Sequence, residues 1–233
     1  MFKRPHHQRI AHLLHALDGT VLRSHACLFG GGTAMALKFG EYRESVDMDF
    51  MVSEMTHYRT LRQMLTGADG VQPLFQAALS PVKQLREVRA DQYGIRTLLA
   101  VDEQPIKFEI ILEARIELLS SKIEDDVCGV PSLTMLDMAT CKLLANSDRW
   151  NDDSVFSRDV IDLAMMKPSH QLLKDAIEKA QGAYGDAIEN DLKKAISRLK
   201  TRESWLDRCM TAMSMTAPKA MVWKNLNNLQ VST

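Results

Sequence analysis

Residues 28–50 read LFGGGTAMALKFGEYRESVDMDF, and the order of the parts in this stretch decides the fold. The short apolar run at residues 26–29 has the character of a buried strand. Gly30-Gly31-Gly32 breaks it, residues 33–39 read as a helix with Thr33 near its start, and Gly40 is a suitable stop. Residues 46–52 then alternate, with Val46, Met48, Phe50 and Val52 on one side, as a strand with one face in a core does. Asp47 and Asp49 share the other side, because residues two apart in a strand point the same way. Aspartate is disfavoured in strand interiors, so two in one apolar strand need a reason. A hard divalent cation such as Mg2+ is one: it takes oxygen ligands, typically one or two carboxylates with substrate phosphates. The glycines add a complement. Peptide N–H groups at a strand-to-helix turn face an anion, and glycine lets a phosphate approach the backbone. Each half has a plain alternative, since a tight turn also favours glycine and paired aspartates on an open strand face are simply solvated.

On the N-terminal side, Ile10, Leu13, Leu14, Leu17 and Val21 form one apolar helical face after Pro5, with Asp18-Gly19 ending or bending that helix. On the C-terminal side a helix is expected over residues 56–65 and a strand near 85–90. Runs at 94–101 and 106–112, joined by Asp102-Glu103-Gln104-Pro105, read as an antiparallel hairpin. From Ser132 the pattern is helical almost throughout, over 133–146, 155–166, 171–181, 187–202, 204–213 and 219–229. Gly129-Val130-Pro131 marks the junction. The expectation is an α+β chain: a mixed α/β domain over residues 1–128 and an all-helical domain over 129–233.

The bulk numbers exclude more than they assign. With 233 residues the chain can bury a core without disulfides, and a formal net charge of −1 leaves attraction to nucleic acid to local patches. Cys27, Cys128, Cys141 and Cys209 are widely separated and contain no Cys-x-x-Cys pair, which argues against a zinc site and a disulfide framework. No apolar run approaches the ~20 residues that span a bilayer. The start, Met1-Phe2-Lys3-Arg4-Pro5, is basic but lacks a signal-peptide core. A cytoplasmic protein with no membrane association is expected.

In its order and spacing, the stretch at residues 28–50 resembles the signature of the nucleotidyltransferase superfamily that includes DNA polymerase beta. Arg43-x-Ser45-x-Asp47-x-Asp49 resembles the AbiEii/AbiGii-type abortive-infection toxin nucleotidyltransferases. The resemblance implies a polymerase-beta-like core, a small mixed sheet with helices, followed by a helical half over 129–233 that completes the nucleotide cleft. It implies a third carboxylate, for which Glu109 is the best match and Asp102 the alternative. Phe108, Ile110 and Leu112 would face the core, leaving Lys107 and Glu109 opposite; the plain alternative for Glu109 is a cross-strand ion pair. It implies a lysine-bearing helix, matched by Lys142, and a later Arg-Asp-x-x-Asp-Leu helix, matched from Arg158 through Asp159 and Asp162 to Leu163. Lys142 would place its charge on triphosphate oxygens, or else cover the core edge with its stem. Asp159 would be catalytic, and Asp162, four residues from Arg158, would pair with it.

The implied chemistry is transfer of a nucleoside monophosphate from a nucleoside triphosphate (NTP) to an acceptor hydroxyl, with two Mg2+ ions held by Asp47, Asp49 and Glu109. Gly31, Gly32, Thr33, Arg43, Ser45, Lys142 and Asp162 would bind the nucleotide. The family implies a toxin paired with an antitoxin and, in some members, a tRNA 3′ end as acceptor. Transfer to a small molecule or a protein side chain, and a non-catalytic nucleotide- or partner-binding module, are the alternatives. Lys193, Lys194, Arg198, Lys200 and Arg202 form a basic helix face that suits an RNA backbone or is simply solvated. His6, His7, His12 and His15 are expected on the surface.

Overall fold

A computed structural model describes residues 2–76 and 82–229. Two compact units make up the chain, and they do not follow from one cut in sequence: Met1–Lys38 joins Ser45–Thr134 in one, and Phe39–Glu44 joins Met135–Thr233 in the other.

The first unit is built on a sheet. Its first helix, α1 (Pro5–Ala16), begins at a proline whose fixed φ suits the first turn, and it buries Ile10, Leu13 and Leu14 completely. Asp18 does more than end it: its carboxylate accepts the N–H groups of Thr20 and Val21 and so caps α2 (Gly19–Ser24). β1 (Leu28–Gly30) starts later than expected because Ala26 has a φ of 45°, a left-handed conformation no strand uses. α3 (Gly31–Lys38) follows directly. β2 (Met48–Val52) is shorter than the alternation suggests; Asp47 lies just before it, and Val46 is 47% exposed, not in the core. After α4 (Met55–Leu65), the strand expected at 85–90 is instead two fragments, β3 (Lys83–Gln84) and β4 (Arg89–Ala90). The hairpin of β5 (Gly94–Val101) and β6 (Gln104–Leu112) is tighter than expected. Asp102 and Glu103 both take positive φ, 48° and 62°, as a two-residue type I′ turn requires, so Gln104 and Pro105 belong to the strand.

The strand order is β1-β2-β6-β5-β3, with β4 also on β5. β2 and β6 run parallel and the other pairs antiparallel. One face is apolar: Met48, Phe50, Phe108 and Ile110 are fully buried, and the Phe50 ring centroid lies 5.3 Å from Phe29 and 5.4 Å from Phe108. The Phe29 N–H donates to the Pro131 carbonyl and the Leu133 N–H to the Phe29 carbonyl, so residues 131–133 run alongside β1.

The second unit is helical. α5 (Met135–Arg149) packs on α6 (Arg158–Met166), α7 (His170–Tyr184) and α8 (Ala187–Thr201); α9 (Trp205–Ala212) packs on α8, and α10 (Lys219–Asn228) on α6. The helix expected over 155–166 begins only at Arg158, because Phe156 and Ser157 are both left-handed. The Phe39–Glu44 segment is tied into this unit by Glu44 N–H donating to the Met213 carbonyl and Thr216 N–H to that of Tyr42. Cys27, Cys141 and Cys209 are buried and no disulfide joins the cysteines. Among the described residues no helix is long and apolar enough to cross a membrane.

Candidate active site

Strand register sets a row of residues across the open face of the sheet. Gly30 on β1 is paired with Asp49 on β2, Asp49 with Glu109 on β6, Glu109 with Arg96 on β5, and Arg96 with Arg89 on β4. Neighbouring strands lie about 4.8 Å apart, so Asp49 and Glu109 are immediate neighbours on the face opposite the phenylalanines. Lys107, two residues before Glu109 on β6, shares that face.

The Asp49 carboxylate leans onto the glycine loop. A Cβ added to Gly31 would lie 2.4 Å from Asp49 Oδ2 and 2.9 Å from its Cβ, and Gly31 has a φ of +67°. Glycine is needed here twice over, for the left-handed backbone and for the close approach of the carboxylate. Asp47 is fixed through its main chain: Thr33 Oγ1 donates to the Asp47 carbonyl at 2.5 Å, and the Thr33 and Ser45 hydroxyls are 2.9 Å apart. One hydroxyl has one proton, so with Thr33 donating to Asp47 it is Ser45 that donates to Thr33. The Thr33 side chain, 1% exposed, is thus engaged within the loop.

Glu109 is engaged on both oxygens. Arg96 Nε donates to Oε1 at 2.5 Å and Lys107 Nζ to Oε2 at 2.6 Å. Burial alone would raise its carboxyl, but Lys107 and Arg96 outweigh burial and hold it below the usual carboxylate range. The Lys107 ammonium is raised, first by its hydrogen bond to Glu109 and further by the charges of Glu109, Asp49 and Asp47. The cross-strand ion pair weighed for Glu109 is thus present. Asp102 stands in the exposed hairpin turn beyond Gln104, which is itself about 17 Å along β6 from Glu109 at ~3.3 Å per residue, too far to join the aspartates.

Asp47 and Asp49 offer oxygen donors only, the set a hard divalent cation takes with phosphate, and Asp49 lies over the backbone where the N–H groups of α3 begin. These two residues fit one such ion. Glu109 does not complete the set as folded, and among the described residues no three His, Cys, Asp or Glu side chains stand together as a metal cage.

The remaining expected site residues meet in the helical unit as a buried charge cluster. Lys142 Nζ lies 3.1 Å from Asp159 Oδ1 and 2.7 Å from Asp162 Oδ2. Arg43 grips Asp162 with two bonds, Nε to Oδ1 at 2.6 Å and Nη2 to Oδ2 at 2.8 Å, and Tyr42 donates its hydroxyl to Oδ1 at 2.7 Å. Arg149 grips Asp159 in the same two-pronged way, at 2.7 and 2.9 Å. Asp162 is fully buried, Asp159 3% exposed, Arg43 5% and Lys142 7%. Burial would raise both carboxyls, yet Arg43 and Lys142 hold Asp162 far below its ordinary range, and Lys142 and Arg149 hold Asp159 below its own. Asp162 does not pair with Arg158, whose side chain is exposed; their shared helix face gave way to a partner 119 residues distant.

Two members of this cluster escaped sequence reading. Arg149 is seven residues after Lys142, two turns along one face of α5, a spacing that would have found it. Tyr42 carries no such signal. On the sheet unit His7 was missed: it is fully buried, not on the surface, and its Nε2 accepts the Ser45 N–H at 3.2 Å. The basic face of α8 is largely engaged locally, Lys193 with Glu189, Lys194 with Asp191, and Arg198 and Arg202 with Asp153. Arg202 also lies 4.1 Å over the Trp205 ring.

Two solved structures share an outline with this chain: a candidate nucleotidyltransferase from H. pylori (16% identity, 97% of each chain covered, TM-score 0.44) and JHP933 from Helicobacter pylori (14% identity, 97% of this chain and 95% of that one, TM-score 0.44). No match is found among curated proteins. The family model described as the AbiEii nucleotidyl transferase toxin of type IV toxin–antitoxin systems matches residues 13–221. With its glycine loop, its paired aspartates and a match over most of its length, the chain belongs to the AbiEii toxin family and is a nucleotidyltransferase.

Proposed function

We propose that the sheet unit carries the transfer site, with Asp47 and Asp49 holding Mg2+ against the triphosphate of an NTP, and that the acceptor is RNA, a tRNA 3′ end in particular. The observation that carries this reading is the Asp49 carboxylate packed onto the Gly31 backbone, which joins the carboxylate to the anion-facing start of α3. The cation, when bound, neutralises phosphate charge and stabilises the attacking and leaving oxygens. The N–H groups of Gly31, Gly32 and Thr33, which have no partner within the first turn of a helix, receive phosphate oxygens. Thr33 and Ser45 hold the main chain at Asp47. Glu109 keeps Lys107 and Arg96 on the same sheet face, where two cations stand ready for phosphate; in this reading it does so in place of holding a second metal ion. The acceptor hydroxyl attacks the α-phosphorus, a new P–O bond forms, the bond to the bridging oxygen breaks, and pyrophosphate leaves while the hydroxyl proton passes to solvent. Arg43, Lys142, Asp159 and Asp162 act as a buried framework of the helical unit, and the cognate antitoxin is the partner that the family supplies.

The test is incubation with each labelled NTP, Mg2+ and total RNA, with Asp47→Asn and Asp49→Asn as controls. Label should enter tRNA-sized RNA and fall by about 10²-fold or more in either variant, the scale of losing one electrostatic group at a reacting phosphate. Label appearing on protein or a small molecule would replace the acceptor; full transfer by both variants would remove the site.

A further inference from the structure

Asp47 lies just before β2, outside its paired residues, and its neighbour Val46 is 47% exposed, so no apolar side chain anchors this segment. Residues 45–47 are held instead by polar side chains from two helices. The Ser45 N–H donates to His7 Nε2 at 3.2 Å, His6 Nε2 lies 3.0 Å from the Val46 carbonyl, and Thr33 Oγ1 donates to the Asp47 carbonyl. His7 comes from α1 and Thr33 from α3, and each is at most 1% exposed. A segment held at the Ser45 N–H and at the Asp47 carbonyl by buried side chains is fixed at both ends, and active-site groups displaced by about 1 Å lose about 10²-fold in rate.

We propose that His7 is a positioning residue for nucleotidyl transfer: with Thr33 it fixes residues 45–47 and thereby aims the Asp47 carboxylate. The ring must present a lone pair at Nε2 to accept the Ser45 N–H, which is a chemical demand and not only a matter of filling space. Fully buried, His7 meets that demand where a solvent-facing histidine would exchange it for water. The inference rests on the reading that Asp47 holds the cation.

Two readouts on the full chain test it: Mn2+ affinity, from the paramagnetic signal of the free ion, and the kcat and KM of transfer. His7→Leu removes the acceptor; His7→Gln restores one through its carboxamide oxygen. Thr33→Val keeps shape and removes the hydroxyl, and Thr33→Ser restores it, which covers the case in which His7→Leu does not fold. The expected result is that His7→Leu and Thr33→Val weaken Mn2+ binding and lower kcat by about 10- to 100-fold, with the acceptor KM unchanged. His7→Gln and Thr33→Ser should recover most of both. If Asp47→Asn abolishes Mn2+ binding while His7→Leu and Thr33→Val leave it intact, the positioning role is overturned and the Asp47 reading stands. If Asp47→Asn itself binds Mn2+ normally, both are overturned.

Discussion

Replacing Asp162 with leucine tests the buried cluster. The substitution keeps an apolar volume but strands the Arg43 guanidinium, which makes two bonds to Asp162, and takes one of two carboxylates from Lys142. Removing one partner of a buried pair costs about 3–5 kcal/mol, and the Tyr42 hydroxyl loses an acceptor worth about 1 kcal/mol more. Total stabilities are about 5–15 kcal/mol, so the helical unit should lose a large share of its own. At roughly 2–4 °C per kcal/mol for a chain of this size, Tm falls by about 10 °C or more. The assay is well placed, because all 3 tryptophans, Trp150, Trp205 and Trp223, belong to the helical unit and their fluorescence follows it alone. Urea titrations of Asp162→Leu, Arg43→Met and the double variant form a cycle; the double should cost clearly less than the sum, since it removes the stranded charge with its partner. Acid adds a second axis. The folded carboxyls of Asp162 and Asp159 lie below their unfolded value of about 3.9, so their stabilisation is fully present above about pH 5 and is lost as pH falls through 4 toward the folded values. The gap between wild type and Asp162→Leu should therefore narrow below about pH 4. A cost under about 1 kcal/mol, or a cycle additive within about 0.5 kcal/mol, would refute the account.

Further expectations concern the sheet and Trp205. Gly31→Ala adds a methyl 2.4 Å from Asp49 Oδ2 on a backbone with φ +67°, so transfer should drop at least about tenfold, beyond what the ~1–2 kcal/mol of left-handed strain alone explains in a melt. Lys107→Met frees Glu109 Oε2 and removes a positive charge felt by Asp49 and Asp47; the Mg2+ concentration giving half-maximal transfer should fall, and a rise would count against the reading. Trp205→Phe deletes the indole N–H that reaches Ser157 Oγ at 2.9 Å and should cost about 1 kcal/mol in urea, followed by circular dichroism because it removes a fluorophore.

The sheet was legible because its signals are local. Alternation at Met48, Phe50 and Val52, and again at Phe108 and Ile110, identifies one buried face, and Asp49 and Glu109 fall on the other by period alone. Its errors are local too. The alternation in sequence runs on to Val46, whose side chain is exposed, and the hairpin reads as having four linking residues because Asp102-Glu103 is not the usual glycine-bearing type I′ pair. Arg96 as a partner of Glu109 lay beyond reach, since it requires the β5–β6 register that only the true turn length sets.

The helical cluster shows a different limit, and a way past it. Spacing along α6 offers Arg158 to Asp162, yet spacing enumerates only neighbours on the same helix. What marks Asp162 is its company: residues 159–166 of α6 are buried all round, and a helix apolar on every side is interior. A carboxylate there must be paired, because an isolated buried charge costs far more than any helix can return. The same test applied to α5 selects Lys142, set among Met138, Ala139, Leu143 and Leu144, as the cation for it. Two oppositely charged residues, each in an interior helix, imply one another without a motif. With Arg43, Lys142 and Arg149 against Asp159 and Asp162, the cluster carries one cation in excess, and burial is cheapest if that excess sits on Arg149, whose side chain at 35% is the only one of the five with substantial access to water.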